Sequence, residues 1–294
     1  MKYLLAQVVN GLQLGMVYSL IALGYTMVYG IIRLINFAHG DVFMVGAFVG
    51  FLGFSKWGLS LPVAGLVSLV VTACLGVAIE RIAYRPLRNA PRISALISAL
   101  GVSLFIQYFS SLKFVFGPNY RVVYPPLELV QWDFGGITIT NIQVIIFGVV
   151  VFLLVGLQYL VYHTKFGMAM RTVSYDSHVA RLMGINVDYV ISVTFALGSA
   201  LAAAGGVLYM LAYPQINPFM GTMPGLKAFV AAVLGGIGII PGAVLGSVIM
   251  GQVETLTVAF ISSQLRDAVA FGVLILVLLV RPTGILGKRT VDKV

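Results

Sequence analysis

Charged side chains are scarce in this sequence. Of its 294 residues 9% are Asp, Glu, Lys or Arg, where a soluble domain carries about 25%, and that shortage excludes a water-soluble globule. A single cysteine, Cys74, excludes an intrachain disulfide; it sits inside an apolar run and reads as core packing. With three histidines, one cysteine and no close ligand pair, no metal centre can be assembled, and His39 does not read as a ligand. The only Gly-Lys pair is Gly287-Lys288, and the upstream glycine that a nucleotide-binding P-loop requires is replaced by Pro282. Without that loop the chain does not hydrolyse ATP by itself. Neither a Gly-x-Ser-x-Gly elbow nor a His-Glu-x-x-His motif occurs, which argues against serine and zinc hydrolases. No cofactor is expected.

What is present is apolar. Hydrophobic residues make up 60% of the chain, and the mean hydropathy is +1.03. Apolar windows bounded by charges, Pro or Gly fall near residues 7–30, 42–54, 61–80, 93–112, 141–162, 189–211, 226–239, 242–261 and 267–280. Their length recurs at the roughly 20 residues needed to cross a hydrocarbon core. The fold class is therefore all-α: a polytopic integral membrane protein with about eight transmembrane helices and a cytoplasmic helix. No segment is left for a soluble domain, so residues 1–294 read as one transmembrane domain. The windows 42–54 and 226–239 are short for an upright crossing and predict broken or re-entrant helices. The apolar stretch after Lys2 is too long for a signal-peptide core and reads as a span.

The net charge of +9 reflects topology rather than a nucleic-acid partner, because Lys and Arg in short loops stay on the cytoplasmic side. Arg81, Arg85, Arg88 and Arg92 form one cluster, Lys165, Arg171 and Arg181 a second, and Arg281, Lys288, Arg289 and Lys293 mark the tail. Residues 113–140 carry two cations cancelled by Glu128 and Asp133, with Pro125-Pro126 and Gly135-Gly136 blocking long helix. They read as an outer loop, and counting spans from these anchors puts the N-terminus outside. Small-residue rows such as Gly238/Gly242/Gly246 and Gly198/Ala202/Gly206, and the Gly11/Gly15 pair, predict close helix contacts.

Three segments hold candidate chemistry. Within the polar inner loop 163–188, Tyr175, Val179, Leu182 and Met183 fall at helical spacing and predict a short amphipathic helix. Ser174 is placed to cap it, Asp176 lies in its first turn, Arg181 in its last, and Gly184 can end it. So short a helix needs a surface, either lipid or a partner protein. The stretch Arg33 to Asp41 interrupts apolar sequence with Asn36, His39 and Asp41; it lines a pathway or forms a wetted inner turn, and Asp41 or Asn36 could cap the helix that follows. Leu234 to Gly246 is a glycine-rich turn joining a short span to a full one. Glu254 either faces an aqueous path or bonds to a neighbouring helix, and Arg266 and Asp267 either pair with each other or lie exposed at the outer rim. No strong internal charge pair is expected, so binding within the chain should be weak.

Six stretches spread along the chain carry a resemblance: Gly24-Tyr25-Thr26-Met27-Val28-Tyr29-Gly30, Ile35-Asn36-Phe37-Ala38-His39-Gly40-Asp41, Glu80-Arg81-Ile82-Ala83-Tyr84-Arg85-Pro86, Leu96-Ile97-Ser98-Ala99, Lys227-Ala228-Phe229 with Ala232 to Gly238, and Arg281-Pro282-Thr283-Gly284-Ile285-Leu286-Gly287. Together they resemble the LivH-type permease subunits of branched-chain amino acid ABC importers. The resemblance implies a second, related permease subunit, two cytoplasmic ATPase subunits, an extracytoplasmic solute-binding protein meeting the outer loop, and a small amino acid as cargo crossing the inner membrane. It implies that Arg171, Asp176, Ala180, Gly184 and Ile185 belong to the segment that couples to the ATPase, joined by Tyr175, Val179, Arg181 and Leu182 of the amphipathic helix. It also implies a translocation path shaped by Asn36, Phe37, His39 and Asp41 and by Gly235, Gly236 and Gly238, with Glu254 as a further candidate. The competing expectation is a secondary transporter or channel working alone, with Asp41 and Glu254 as carriers.

Overall fold

Inside hydrocarbon a chain can satisfy its backbone N–H and C=O groups only within itself, so the apolar windows fold as helices. The computed structural model describes residues 2–32, 34–88, 90–133 and 138–287. Its helices are α1 (Lys2–Ile32), α2 (His39–Ser55), α3 (Leu61–Ile79), α4 (Arg92–Ser110), α5 (Asn141–His163), α6 (Lys165–Tyr175), α7 (Ser177–Leu182), α8 (Val187–Ala212), α9 (Thr222–Gly235), α10 (Ile240–Phe260) and α11 (Arg266–Val280). Among the described residues seven helices are long and apolar enough to span, α3 continuing through a π turn and a 3₁₀ turn to Leu87; α2 and α9 are shorter. At 1.5 Å per residue these two reach about 26 and about 21 Å, short of a core about 30 Å thick.

The short helices begin in the interior. After Ile32 the chain turns back, and His39 packs against Gly24, which itself lies on Gly198 of α8. Gly198 sits about 16 Å from the start of α8 and about 21 Å from its end, so α2 starts near the middle of the bundle and runs toward the outer loop. The start of α9 meets it there: a β-carbon on Gly40 would stand 2.5 Å from the Gly221 carbonyl oxygen and 3.1 Å from Gly225 Cα. Only glycines allow two helix starts to cross this closely. From that crossing α9 descends to the opposite end, where Gly236, at φ +109°, makes the turn into α10.

Two inverted units follow. In each, a long helix, an interior-starting short helix and two further spans succeed one another, α1–α4 in one and α8–α11 in the other, and every member runs opposite to its counterpart. The packing repeats as well: α1 lies on α10 as α3 lies on α8, α2 on α3 as α9 on α10, and α2 on α8 as α9 on α1. α5, α6 and α7 connect the units.

Lys2 lies at the outer-loop end, since Gln143 Nε2 at the start of α5 donates to Asn10 Oδ1 at 3.0 Å. Arg85, Arg88 and Arg181 gather at the other end, where the Leu286 N–H donates to the Gly235 carbonyl. Arg33, Gly135, Gly136, Lys288, Arg289 and Lys293 lie outside the described residues. The outer loop contains short antiparallel strands instead of helix: β2 (Gln131–Asp133) pairs with β3 (Thr138–Thr140), and β1 (Arg121–Val122) pairs with β4 (Gln215–Ile216). Cys74 corrects an expectation, for it is exposed on α3 rather than packed in the core.

Candidate functional site

A cavity of about 130 Å³ adjoins the crossing of α2 and α9. Asp41 enters it from the first turn of α2 and is 1% exposed. Its Oδ2 accepts from Ser103 Oγ at 2.5 Å and its Oδ1 from Gln107 Nε2 at 2.9 Å. These two donors lie one turn apart on α4, and Gln107 also reaches Thr222 Oγ1 at 3.4 Å. Tyr25, Phe37 and Phe229 wall the other side, with ring centroids of Tyr25 and Phe37 at 5.7 and 6.2 Å from Phe229. Leu100 and Leu226, both partly exposed, form the rim.

The remaining residues of the first expected stretch stand behind this cavity. His39 is buried edge-on against Tyr25 at 4.7 Å, and Asn36 Oδ1 accepts from Tyr84 at 3.1 Å. Neither Asn36 nor Asp41 caps α2: its N-cap is Ala38, with no side-chain bond, because Tyr84 and α4 hold the two polar groups elsewhere. Gly235, Gly236 and Gly238 are distant from the cavity, at the basic end, where Gly235 packs on Gly242 and Gly236 on Gly287.

Glu254 anchors a second constellation toward the outer end. It is 1% exposed, as is Lys227, whose Nζ lies 2.9 Å from Glu254 Oε1 and 2.7 Å from Asp267 Oδ1. Arg266 also pairs with Glu254, and Tyr18 donates to Glu254 Oε2 at 3.0 Å. Two expectations are corrected here. A strong internal charge pair exists, and Arg266 and Asp267 pair crosswise with Glu254 and Lys227 rather than with each other. Burial enforces that pairing, since an isolated charge at this depth would be far costlier. Cavities of about 450 and about 390 Å³ flank the cluster, and Arg266 lines both.

The inner loop forms two helices, α6 and α7, broken at Asp176. Asp176 caps α7 by accepting from the His178 and Val179 N–H groups at 2.7 and 3.0 Å, and those donors hold its carboxyl below the usual range. Ser174, the expected cap, sits inside α6 and donates to the Gly30 carbonyl instead. Gly184, at φ +80°, ends α7; the Ile185 N–H bonds the Ala180 carbonyl and the Gly184 N–H that of Arg181, a left-handed C-terminal closure. Ala180 faces inward, whereas Tyr175 is 92% exposed, Leu182 75% and Met183 74%, with Val179 half-exposed. Arg171 stacks over Tyr162 at 5.5 Å, and Arg181 shares a cavity of about 380 Å³ with Arg88.

Sequence reasoning missed Ser103, Gln107, Lys227 and the partners of Glu80. Glu80, fully buried, accepts from Ser192 Oγ at 2.6 Å and pairs with Arg88, which also reaches Asp188 at 2.5 Å. The polar i, i+4 pair Ser103/Gln107 and the lone cation Lys227, each inside an apolar window, were the available signals.

The family described as "Branched-chain amino acid transport system / permease component" matches residues 7–278. The high-affinity branched-chain amino acid transport system permease protein LivH of Escherichia coli (strain K12) is 46% identical over 99% of this chain and 98% of its own length. The corresponding protein BraD of Pseudomonas aeruginosa is 44% identical over the same shares, and a LivH protein of Methanocaldococcus jannaschii is 32% identical over 91% and 88%. Among solved structures, PsaBC from Streptococcus pneumoniae in complex with Fab aligns with 93% of this chain and 91% of that chain at TM-score 0.47 and 13% identity, a likeness that carries no argument. With so much of its length matched and its apolar helices arranged as a multi-pass bundle, this chain belongs to the family of permease components of branched-chain amino acid transport systems.

Proposed function

We propose that this chain is the membrane-embedded permease subunit of an ATP-driven importer, carrying a branched-chain or other small amino acid across the inner membrane on energy supplied by separate ATPase subunits. The observation that carries the ATP-driven part is the α6–α7 segment. It is capped at both ends, lies at the basic end, and turns Tyr175, Leu182 and Met183 outward, in a chain whose sequence has no P-loop. Apolar side chains displayed on a helix of six residues and on the residues flanking it do not hold that segment in water, and the groove of an ATPase subunit is the surface it fits. A pair of such ATPases needs a pair of permease subunits, so a second, homologous permease stands beside this one. A solute-binding protein docks on the opposite end, over residues 113–140.

Transport then proceeds by alternating access. ATP-driven closure of the ATPases moves α6–α7, the spans of the two inverted units rock about the α1–α8 contact, and solute passes the crossing of α2 and α9. Vesicles reconstituted with this chain, its permease partner and the ATPases are expected to take up leucine only when ATP is supplied on the ATPase side and binding protein on the other. Uptake by this chain alone, following a proton or ion gradient, would refute the reading.

A further inference from the structure

Among the described residues three acids are buried, and one of them lacks a cation. Glu80 has Arg88, and Glu254 has Lys227 and Arg266. Asp41 receives two neutral donors, Ser103 and Gln107, and among the described residues no ion pair reaches it. A carboxylate at this depth without a positive partner is costly to keep, and such groups mark a pathway. Each carboxylate oxygen can accept two hydrogen bonds; one site on each is taken, and the carboxyl lies on the wall of the cavity.

We propose that Asp41 receives the ammonium group of the amino acid in transit, which supplies the missing positive charge as it passes the crossing of α2 and α9. This rests on the permease reading above and adds a residue and an atom to it. The cavity, about 130 Å³, is smaller than a whole branched-chain amino acid, so it takes the amino end. The aliphatic side chain lies against Phe37 and Phe229 and leaves between Leu100 and Leu226. The apolar wall offers no second charge, which selects a primary ammonium on an aliphatic carbon over a dipositive or strongly hydrated ion. The neutral donors hold the carboxylate oriented without satisfying its charge, so the ammonium is bound for passage and released when the path opens on the other side.

The test uses the complete importer, with its partner permease, ATPases and binding protein, reconstituted in vesicles. Asp41→Asn keeps the size of the side chain and an acceptor for Ser103, and it is expected to lower leucine uptake about tenfold or more, the scale of one lost charge-assisted contact, with the amount of assembled complex unchanged. Asp41→Glu, retaining the charge, is expected to recover part of the uptake. Wild-type uptake by Asp41→Asn would overturn the proposal while leaving the permease reading intact; an unenergised wild-type assembly would overturn that reading itself. A second measurement needs no substitution. Carbodiimide labelling of Asp41 in the wild-type complex, read by mass spectrometry, is expected to fall in the presence of leucine and not of 4-methylpentanoate, which has the same carbon skeleton without the amine. Equal protection by both, or protection by neither, overturns the assignment.

Discussion

Lys227→Met removes the positive centre of the outer cluster, and the structure sets the size of the effect. Lys227 and Glu254 are each 1% exposed, and losing one partner of a buried pair costs about 3–5 kcal/mol. Glu254 keeps Arg266 and Tyr18 in this variant, while Asp267, with 43% of its side chain exposed, turns to water. The cost therefore falls at the low end, about 3 kcal/mol. Glu254→Leu is worse, because it also strands the buried Tyr18 hydroxyl, adding about 1–3 kcal/mol. The double variant leaves no fully buried charge unpaired, because Arg266, with 41% of its side chain exposed, turns to water as Asp267 does. The Tyr18 hydroxyl is the main remaining cost, so the double variant is expected to lose about 1–3 kcal/mol, far less than the two singles together. Ordinary hydrogen bonds between membrane helices average only about 0.6 kcal/mol, so a loss near 3 identifies charge rather than hydrogen bonding. The assay is denaturant unfolding of the protein in lipid bicelles. A Lys227→Met loss below about 0.5 kcal/mol, or additive singles, would refute the reasoning.

Further outcomes test the seams and the inner surface. Gly251→Ala drives a β-carbon into the backbone of Gly11 and Gly15 and is expected to destabilise the α1–α10 contact by about 1–3 kcal/mol, whereas Gly148→Ala, inside α5 with nothing near it, is expected to lose nothing and to gain up to about 1 kcal/mol in the same unfolding assay. Leu182→Asp places a charge on the exposed face of α7 and is expected to abolish co-purification of the ATPase with the subunit still inserted in the membrane. Asp176→Ala, which loses the cap, is expected to uncouple transport from ATP hydrolysis, while Asp176→Asn, which caps as well, retains coupling. The Asp176 carboxyl is held below its usual range, so its contribution is complete above that range and is lost only as the pH falls through the lowered value. Coupled uptake is therefore expected to be independent of this group from about pH 5 to 8; a titration there, absent in Asp176→Asn, would contradict the assignment.

Helix positions were legible because a run of about 20 apolar residues has one stable conformation in hydrocarbon, and the two short windows betrayed α2 and α9 through length alone. The depth at which they start was not legible. It depends on Gly24, Gly40, Gly198 and Gly221 meeting across the fold, and no local pattern encodes a contact between residues so far apart in sequence. The same holds for the charge clusters. Glu254 was visible as an anomaly, but its partner Lys227 sits on another helix, and the neighbouring pair Arg266 and Asp267 pointed to a local bridge that geometry redirects. The cap of α7 failed for a smaller reason: Ser174 and Asp176 both suit the position, and the break between α6 and α7 decides in favour of Asp176. Asp41 was singled out as polar sequence in an apolar region, yet its lack of a cation emerges only when α4 supplies Ser103 and Gln107.

The two inverted units also make the buried glutamates counterparts. Glu80 ends α3 and is held by Arg88, just before α4, with Ser192 of α8 completing the corner; Glu254, near the end of α10, is held by Arg266 at the start of α11, with Tyr18 of α1 completing it. One corner ties α8 near the basic end and the other ties the middle of α1 to the outer half of α10, so each fastens one side of the α1–α8 contact about which the units would rock. Arg88→Met leaves Glu80 with only a neutral donor and is expected to cost about 3–5 kcal/mol, Asp188 turning to water beside Arg85. The corners share no partner and sit at opposite ends, so Arg88→Met combined with Lys227→Met is expected to cost the sum of the singles within about 0.5 kcal/mol. If each corner fastens only its own end, stability is additive while transport is not, because an importer must open both ends in turn. A measured coupling well beyond that margin would mean the two ends are a single packed body, and a rocking cycle about α1 and α8 would then have no independent parts to move.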